Sequence, residues 1–305
     1  MVNRARPIDE VIQDSRTPPQ VAKALAEISK IKKYGESMGL KATSNYVDYV
    51  DLKRPYAVWV VSASPKLKFE TRHWWFPIVG SVPYMGWFTL EGAQKFAETL
   101  KAQDLDVDIR GASAYSTLGW FRDPILSTML SRHSGAIGDL VDVVLHESVH
   151  ASFYIKGQST FNENIASFIA EKLTVKYLHG DELNEYVEGQ QYAEKISKSF
   201  HAAYEKLSAI YDSSASTEEK LAHKAEIMQS LQKEFQIKRE INNATLLQYR
   251  TYDAGALELE KLYQACGGDF ERFWKKIQTI KKESFKKDQE EELISVLFPL
   301  ISSGC

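Results

Sequence analysis

At 305 residues, 44% of them hydrophobic, the chain can bury a substantial core without needing disulfides or metals as staples. Its 38 basic and 41 acidic residues give a net charge of −3 and are mixed along the sequence, which argues against a nucleic-acid partner. No run of about 18 apolar residues occurs and the N-terminal MVNRARPIDEV lacks an apolar export core, so the expectation is a soluble chain with no transmembrane segment.

The first helix is expected over Thr17 to Leu40, where two prolines open an amphipathic stretch and a glycine closes it. From Tyr56 the pattern changes to aromatic and β-branched runs, YAVWVVSASP, KLKFETRHWWFPIVG and SVPYMGWFTL, bounded by Pro, Gly or Ser and read as a meander of strands with hairpins. Leu90 to Gln103 reads as a helix with Thr89 as its N-cap, and LDVDIRGASAYSTLGWF as a further strand.

Beyond Pro124 helices dominate, at Ile137 to Tyr154, Phe161 to Tyr177, Glu182 to Tyr211, Thr217 to about Ala265 and Asp269 to Ile280, separated by KGQST, HGD, SSAS and CGGD. Asn242 and Asn243 are awkward inside the fourth of these, and mark either a kink or a specific contact. The fold class expected is α+β, one catalytic domain over 1–305 with a β-rich mixed part at 1–135 and a helical part at 136–305. A protruding helical hairpin is expected at 181–240, where apolar positions are sparse. The two cysteines, Cys266 and Cys305, are able to pair with each other, though nothing in the sequence demands it.

The stretch VVLHESVHASFYIKGQSTFNENIASFIAEK carries the chemistry. His146, Glu147 and His150 form H-E-x-x-H. On a helix, residues four apart share a face, so the two imidazoles can hold one cation while Glu147 reaches a water bound to it. The apolar flanks Val141, Val143, Val144, Leu145, Val149 and Phe153 bury the helix, and buried histidines need partners. The bland alternative is an amphipathic helix with two histidines.

A third ligand is required, and two glutamates compete. Glu163 follows a reversal at Gly157, but Thr160 to Glu163 is also a capping-box pattern in which the carboxylate would only bond back to the helix start. Glu171 lies two turns further on, with an exposed glutamate ahead of Lys172 as its alternative reading.

HESVH followed by FNENIASF resembles the glutamate zincins, in which H-E-x-x-H precedes a helix with an N-E-x-x-A or N-E-x-x-S signature. AYSTLGWFRDPILSTML, NNATLLQYRTY, CGGDFERFW, FPIVGSVPYMGWF and DLKRPYAVWVV are similar to segments of one bacterial family of predicted aminopeptidases, from about Pro7 to Ile280. The resemblance implies a zincin-like metallopeptidase with one Zn(2+) per chain, His146, His150 and Glu163 as ligands, Glu147 as general base, and a peptide or protein as substrate. The gap before Glu163 is shorter than in thermolysin, which keeps Glu171 open.

Where thermolysin-like proteins place an aspartate behind a zinc histidine, this chain has Ser167, so that support has to come from elsewhere; Asp142, one turn before His146, is available. Tyr252, with Tyr249 as alternative, is the candidate donor to the oxyanion, unless either tyrosine only packs in the core. Tyr115, Ser116, Thr117 and Gly119 are candidate substrate contacts on an edge strand, unless they form an ordinary strand and turn. Glu163, Glu171 and Asp123 are the acids available to meet a free α-ammonium. Relatives of this type resemble exported lipoproteins, which implies the bacterial cell envelope. Two alternatives stand beside the aminopeptidase reading, an endopeptidase of the same fold and a non-catalytic peptide-binding module.

Overall fold

A computed structural model describes residues 4–41, 43–76, 80–114, 122–130, 136–250, 255–288, 290 and 293–305, with 80 and 81 by backbone alone. In chain order the elements are β1 (Arg6–Pro7), α1 (Ile8–Gln13), α2 (Pro19–Ser37), β2 (Asp48–Val50), β3 (Val58–Pro65), β4 (Trp74–Phe76), β5 (Gly80–Val82) and β6 (Met85–Trp87). There follow α3 (Leu90–Lys101), β7 (Leu105–Ala112), β8 (Ile125–Leu126), α4 (Ala136–Ser152), α5 (Ser159–Tyr177), α6 (Gly180–Asp212), α7 (Thr217–Glu234), α8 (Asn243–Leu246), α9 (Ala256–Ala265), α10 (Phe270–Ile277) and α11 (Ile294–Ser303). The class is mixed α+β. The chain folds into two units, each assembled from separate segments.

The first unit draws on 1–51, 116–189 and 253–305. Its small sheet runs β1-β2-β8, antiparallel between β1 and β2 and parallel between β2 and β8. The α4 helix is buried along Leu140, Val141, Val144, Leu145 and Val149 and packs between α2 and α5. Gly35 of α2 admits the Leu145 side chain, which would meet a Cβ there at 3.3 Å. Such burial, at about 25 cal/mol per Å² of apolar surface, is what holds α4 in place. A disulfide joins Cys266, just past α9, to Cys305 beyond α11.

The second unit draws on 52–115 and 190–252. Its strands do not form the simple meander expected of them, because β3 sits between β6 and β7 while β4 and β5 pair apart as a hairpin. The reason lies in β3, whose alternation buries Val61 and Ala63 against α3 through Ala93, Ala97 and Leu100, and the long β7 is the partner that extends this face with Val107. The opposite face carries Asp106 and Asp108 alongside the buried Val60. Lys224 pairs with Asp106, and Arg239 with Asp108.

The long helix expected from Thr217 onward is interrupted. After α7 the chain turns through Gln236 at φ 53° and restarts at α8, where Asn242 caps the helix by accepting from the Ala244 amide at 3.1 Å. Asn243 donates to the carbonyls of Pro65 and Lys66, 3.0 Å each, and accepts from the Tyr211 hydroxyl at 2.9 Å. The two asparagines are thus structural pins of the second unit. The sequence flagged Asn242 and Asn243 as a kink or a specific contact but ran the helix on through them; here they start a new helix and bind the second unit's strands.

Candidate metal centre

The centre is built by α4, α5 and the reversal between them. Past Ser152 the chain turns back through Gly157, at φ 85°, a conformation that disfavours side chains. Asn162 locks the turn from inside: its Oδ1 accepts from the Ile155 amide at 2.9 Å and its Nδ2 donates to the Ile155 carbonyl at 2.8 Å. Gln158 ties the same turn to the C-terminal segment, donating to Lys287 and accepting from the Glu290 amide at 2.7 and 2.9 Å. Of the Asn-Glu pair, therefore, the asparagine folds the turn and leaves the glutamate free to face α4.

The consequence is a convergence of three side chains. His146 Nε2 and His150 Nε2 lie 3.0 Å apart, and the two oxygens of Glu163 stand 3.2 Å from the first and 3.4 Å from the second. One ligand atom from each lies within 4.8 Å of the others, and among the described residues this is the group of His, Cys, Asp or Glu that could hold a metal ion. Glu163 makes no capping bond; α5 starts at Ser159 without a side-chain cap.

The donor set suits a small divalent cation. Two imidazole nitrogens this close repel through their lone pairs unless a proton or a cation lies between them, and two nitrogens with one carboxylate leave a tetrahedral ion an open position. Burial opposes protonation of His146, but its hydrogen bond to Glu163 and the charges of Glu163, Glu147 and Asp142 outweigh that and raise its pKa. The same histidines hold the Glu163 carboxyl down to about 2.

A metal ion has to displace the proton favoured on His146. Affinity for a divalent ion is therefore expected to be highest above the raised His146 pKa and to fall about tenfold per pH unit below it for that one proton. Chelator-competition titrations between about pH 5 and 8 check the slope.

Glu147 stands between the ligands in sequence, half-buried. Burial raises its pKa, as do Asp123 and Glu163, against the lowering pull of His150 and His146. Two of its neighbours escaped the sequence reading or entered it only in another role. Tyr46, buried and at φ 61°, lies where Glu147 and Asp123 both bear on its phenol, although burial is the larger cause of its raised pKa. Its loop is held by Lys32, which donates to the Thr43 carbonyl at 3.2 Å, and by the Asp123 amide, which donates to Asn45 at 3.0 Å. No motif marks Tyr46; left-handed backbone at a non-glycine residue beside a site is visible only in three dimensions.

The remaining candidates fall elsewhere. Tyr115, Ser116, Thr117, Gly119 and Tyr252 lie outside the described residues. Tyr249 belongs to the second unit, where its ring packs 4.7 Å from that of Phe200 and its carbonyl lies 3.0 Å from His201 Nδ1. Glu171, further along α5, is not among the three converging side chains, and its charge bears on Asp142 and Tyr186. Ser167 Oγ stands 3.5 Å from His146 Nδ1.

Asn162→Ala is expected to cost about 1–3 kcal/mol of stability, because it strands a buried amide and a buried carbonyl of Ile155. It also frees Glu163 from its registered position, so metal affinity should fall in parallel with the melting temperature. Unchanged values of both would remove the role assigned to Asn162.

A family model described as "Putative aminopeptidase" matches residues 1–293. No curated protein and no solved structure matches the chain.

Proposed function

The chain belongs to the putative aminopeptidase family, and from that premise we propose that it is a zinc-dependent peptidase of zincin type, acting on peptides with a free amino terminus. The observation that carries the reading is the convergence of His146, His150 and Glu163 on one point from two packed helices. In this reading those three side chains hold the ion, one per chain. When bound, zinc would supply Lewis-acid polarisation of the scissile carbonyl and a more acidic water.

The chain's own groups do the proton work. Glu147, next to the ligand His146 and held half-buried, takes a proton from the attacking water. The same carboxyl then delivers it to the departing amine. Its raised pKa suits this double duty, since a weakly basic carboxylate would accept the proton poorly. Glu163 anchors the second helix to the first.

The disulfide between Cys266 and Cys305 supports a location in an oxidising compartment, in keeping with the bacterial envelope. Among the described residues no helix is long and apolar enough to cross a membrane.

The test is metal analysis of protein purified without added zinc, followed by hydrolysis of paired peptides, free and N-acylated, of identical sequence. Bound zinc with cleavage of only the free peptide is the expected result. Equal cleavage of both moves the reading to an endopeptidase, and zinc binding without cleavage of either moves it to a peptide-binding module.

A further inference from the structure

Behind His146 lies a set of buried polar atoms that the proposed mechanism does not use. Asp142 precedes His146 by one turn of α4, and residues four apart on a helix share a face. One turn earlier on that face is Gly138. A Cβ there would come within 2.6 Å of the Tyr186 ring, so glycine is what lets this tyrosine, from the first turns of α6, lie against α4. Asp142 Oδ1, the Tyr186 hydroxyl and the Thr174 hydroxyl are all buried without a hydrogen-bond partner of standard geometry. Tyr186 and Thr174 are 3% and 0% exposed, so solvent does not satisfy them. Burial comes first in raising the Tyr186 pKa, Asp142 and Thr174 both act on the same phenol, and the Asp142 charge in turn bears on His146.

A polar cluster left this incomplete in a hydrophobic helix layer is costly unless it has a task. His146 supplies one. Its Nε2 faces Glu163 and His150, which leaves Nδ1 to carry the proton of the neutral ring. A ligand histidine needs an acceptor for that proton, because the acceptor fixes the tautomer and makes the other nitrogen a better donor to metal. Ser167, at 3.5 Å, is at the outer limit of a hydrogen bond and carries no charge.

We propose that Asp142 and Tyr186 form a positioning relay behind the metal centre, Tyr186 holding the Asp142 carboxylate and that carboxylate setting the orientation and proton placement of the His146 ring. The relay rests on the metal-site reading above and deepens it. Burial is the main cause of an Asp142 pKa pushed up to about 6, opposed by His146, in keeping with a carboxylate whose favourable partner is that ring.

The test compares the full chain with Asp142→Asn, Tyr186→Phe and Ser167→Ala, using zinc affinity from chelator competition and the visible spectrum of the cobalt(II)-loaded protein. Asp142→Asn is expected to weaken zinc about 10–100-fold and to alter the cobalt spectrum. Tyr186→Phe, which removes one oxygen from an otherwise unchanged ring, should shift both in the same direction by less, and the double variant should be no worse than Asp142→Asn alone, because the two residues act in series. Ser167→Ala should stay within about twofold of the unmodified protein, below the range typical of an outer-shell change. Zinc affinity and cobalt spectra unchanged in both Asp142→Asn and Tyr186→Phe would overturn the relay while leaving the metal centre intact. Failure of the unmodified chain to bind either metal would overturn the metal reading itself and the relay with it.

Discussion

Glu147→Gln is expected to lower peptide hydrolysis by roughly 10²–10⁴-fold, the range associated with loss of a general base. The substitution keeps volume and shape, so packing of α4 should persist and the melting temperature should move little. Glutamine cannot accept the water proton, nor can it return one to the leaving amine. Glu147 lies outside the group of three converging side chains, so metal content should equal that of the unmodified protein. Measured as kcat on a free peptide beside metal analysis of the same sample, full activity would sink the assignment. Loss of both activity and metal would instead make Glu147 a ligand.

The second large effect separates the two candidate third ligands. Glu163→Gln should weaken metal binding well beyond the 10–100-fold typical of changes behind the ligands, because it removes the carboxylate within 3.4 Å of both histidine nitrogens. Glu163 is exposed, with 63% of its side chain open to solvent, so little core packing is lost and a folded protein should remain. Glu171→Gln should leave affinity within about the outer-shell range, since Glu171 is outside the converging group and its charge bears on Asp142 and Tyr186. If Glu171→Gln strips the metal and Glu163→Gln does not, the ligand assignment is reversed. Glu163→Gln should also relieve the rise in the His146 pKa, because hydrogen bonding and charge from Glu163 head the causes that raise it against burial. The pH below which affinity begins its tenfold-per-unit decline would then fall, an independent readout of the same contact.

Many of the helices were legible because their signals are local. Thr89 caps α3 through the Gly92 amide, Gly39 at φ 84° closes α2, and the spacing of apolar residues places α4 and α5 within two residues of their ends. The strand runs were visible as strands, but their partners were not. Pairing depends on which faces bury which neighbours, and β3 between β6 and β7 is decided by α3 beneath it. At the break between α7 and α8 the sequence singled out Asn242 and Asn243 but not their partners, because Val107, Pro65 and Lys66 lie more than a hundred residues earlier in the chain.

By itself the sequence determined that His146 and His150 share a helix face with Glu147 beside them, since a 3.6-residue repeat leaves no other arrangement once the helix forms. It narrowed the candidate third ligand to two glutamates on the next helix. Only tertiary structure decided the rest: which glutamate faces the histidines, that Asn162 rather than a capping bond shapes the turn, and that Glu147 bears on Tyr46 and Asp142 on Tyr186. The physical reason is distance along the chain. Helical periodicity relates residues three and four apart, whereas the direction of Glu163 depends on how α5 packs on α4, and the arrival of Tyr186 depends on a missing side chain at Gly138, 48 residues away by the difference of the two positions.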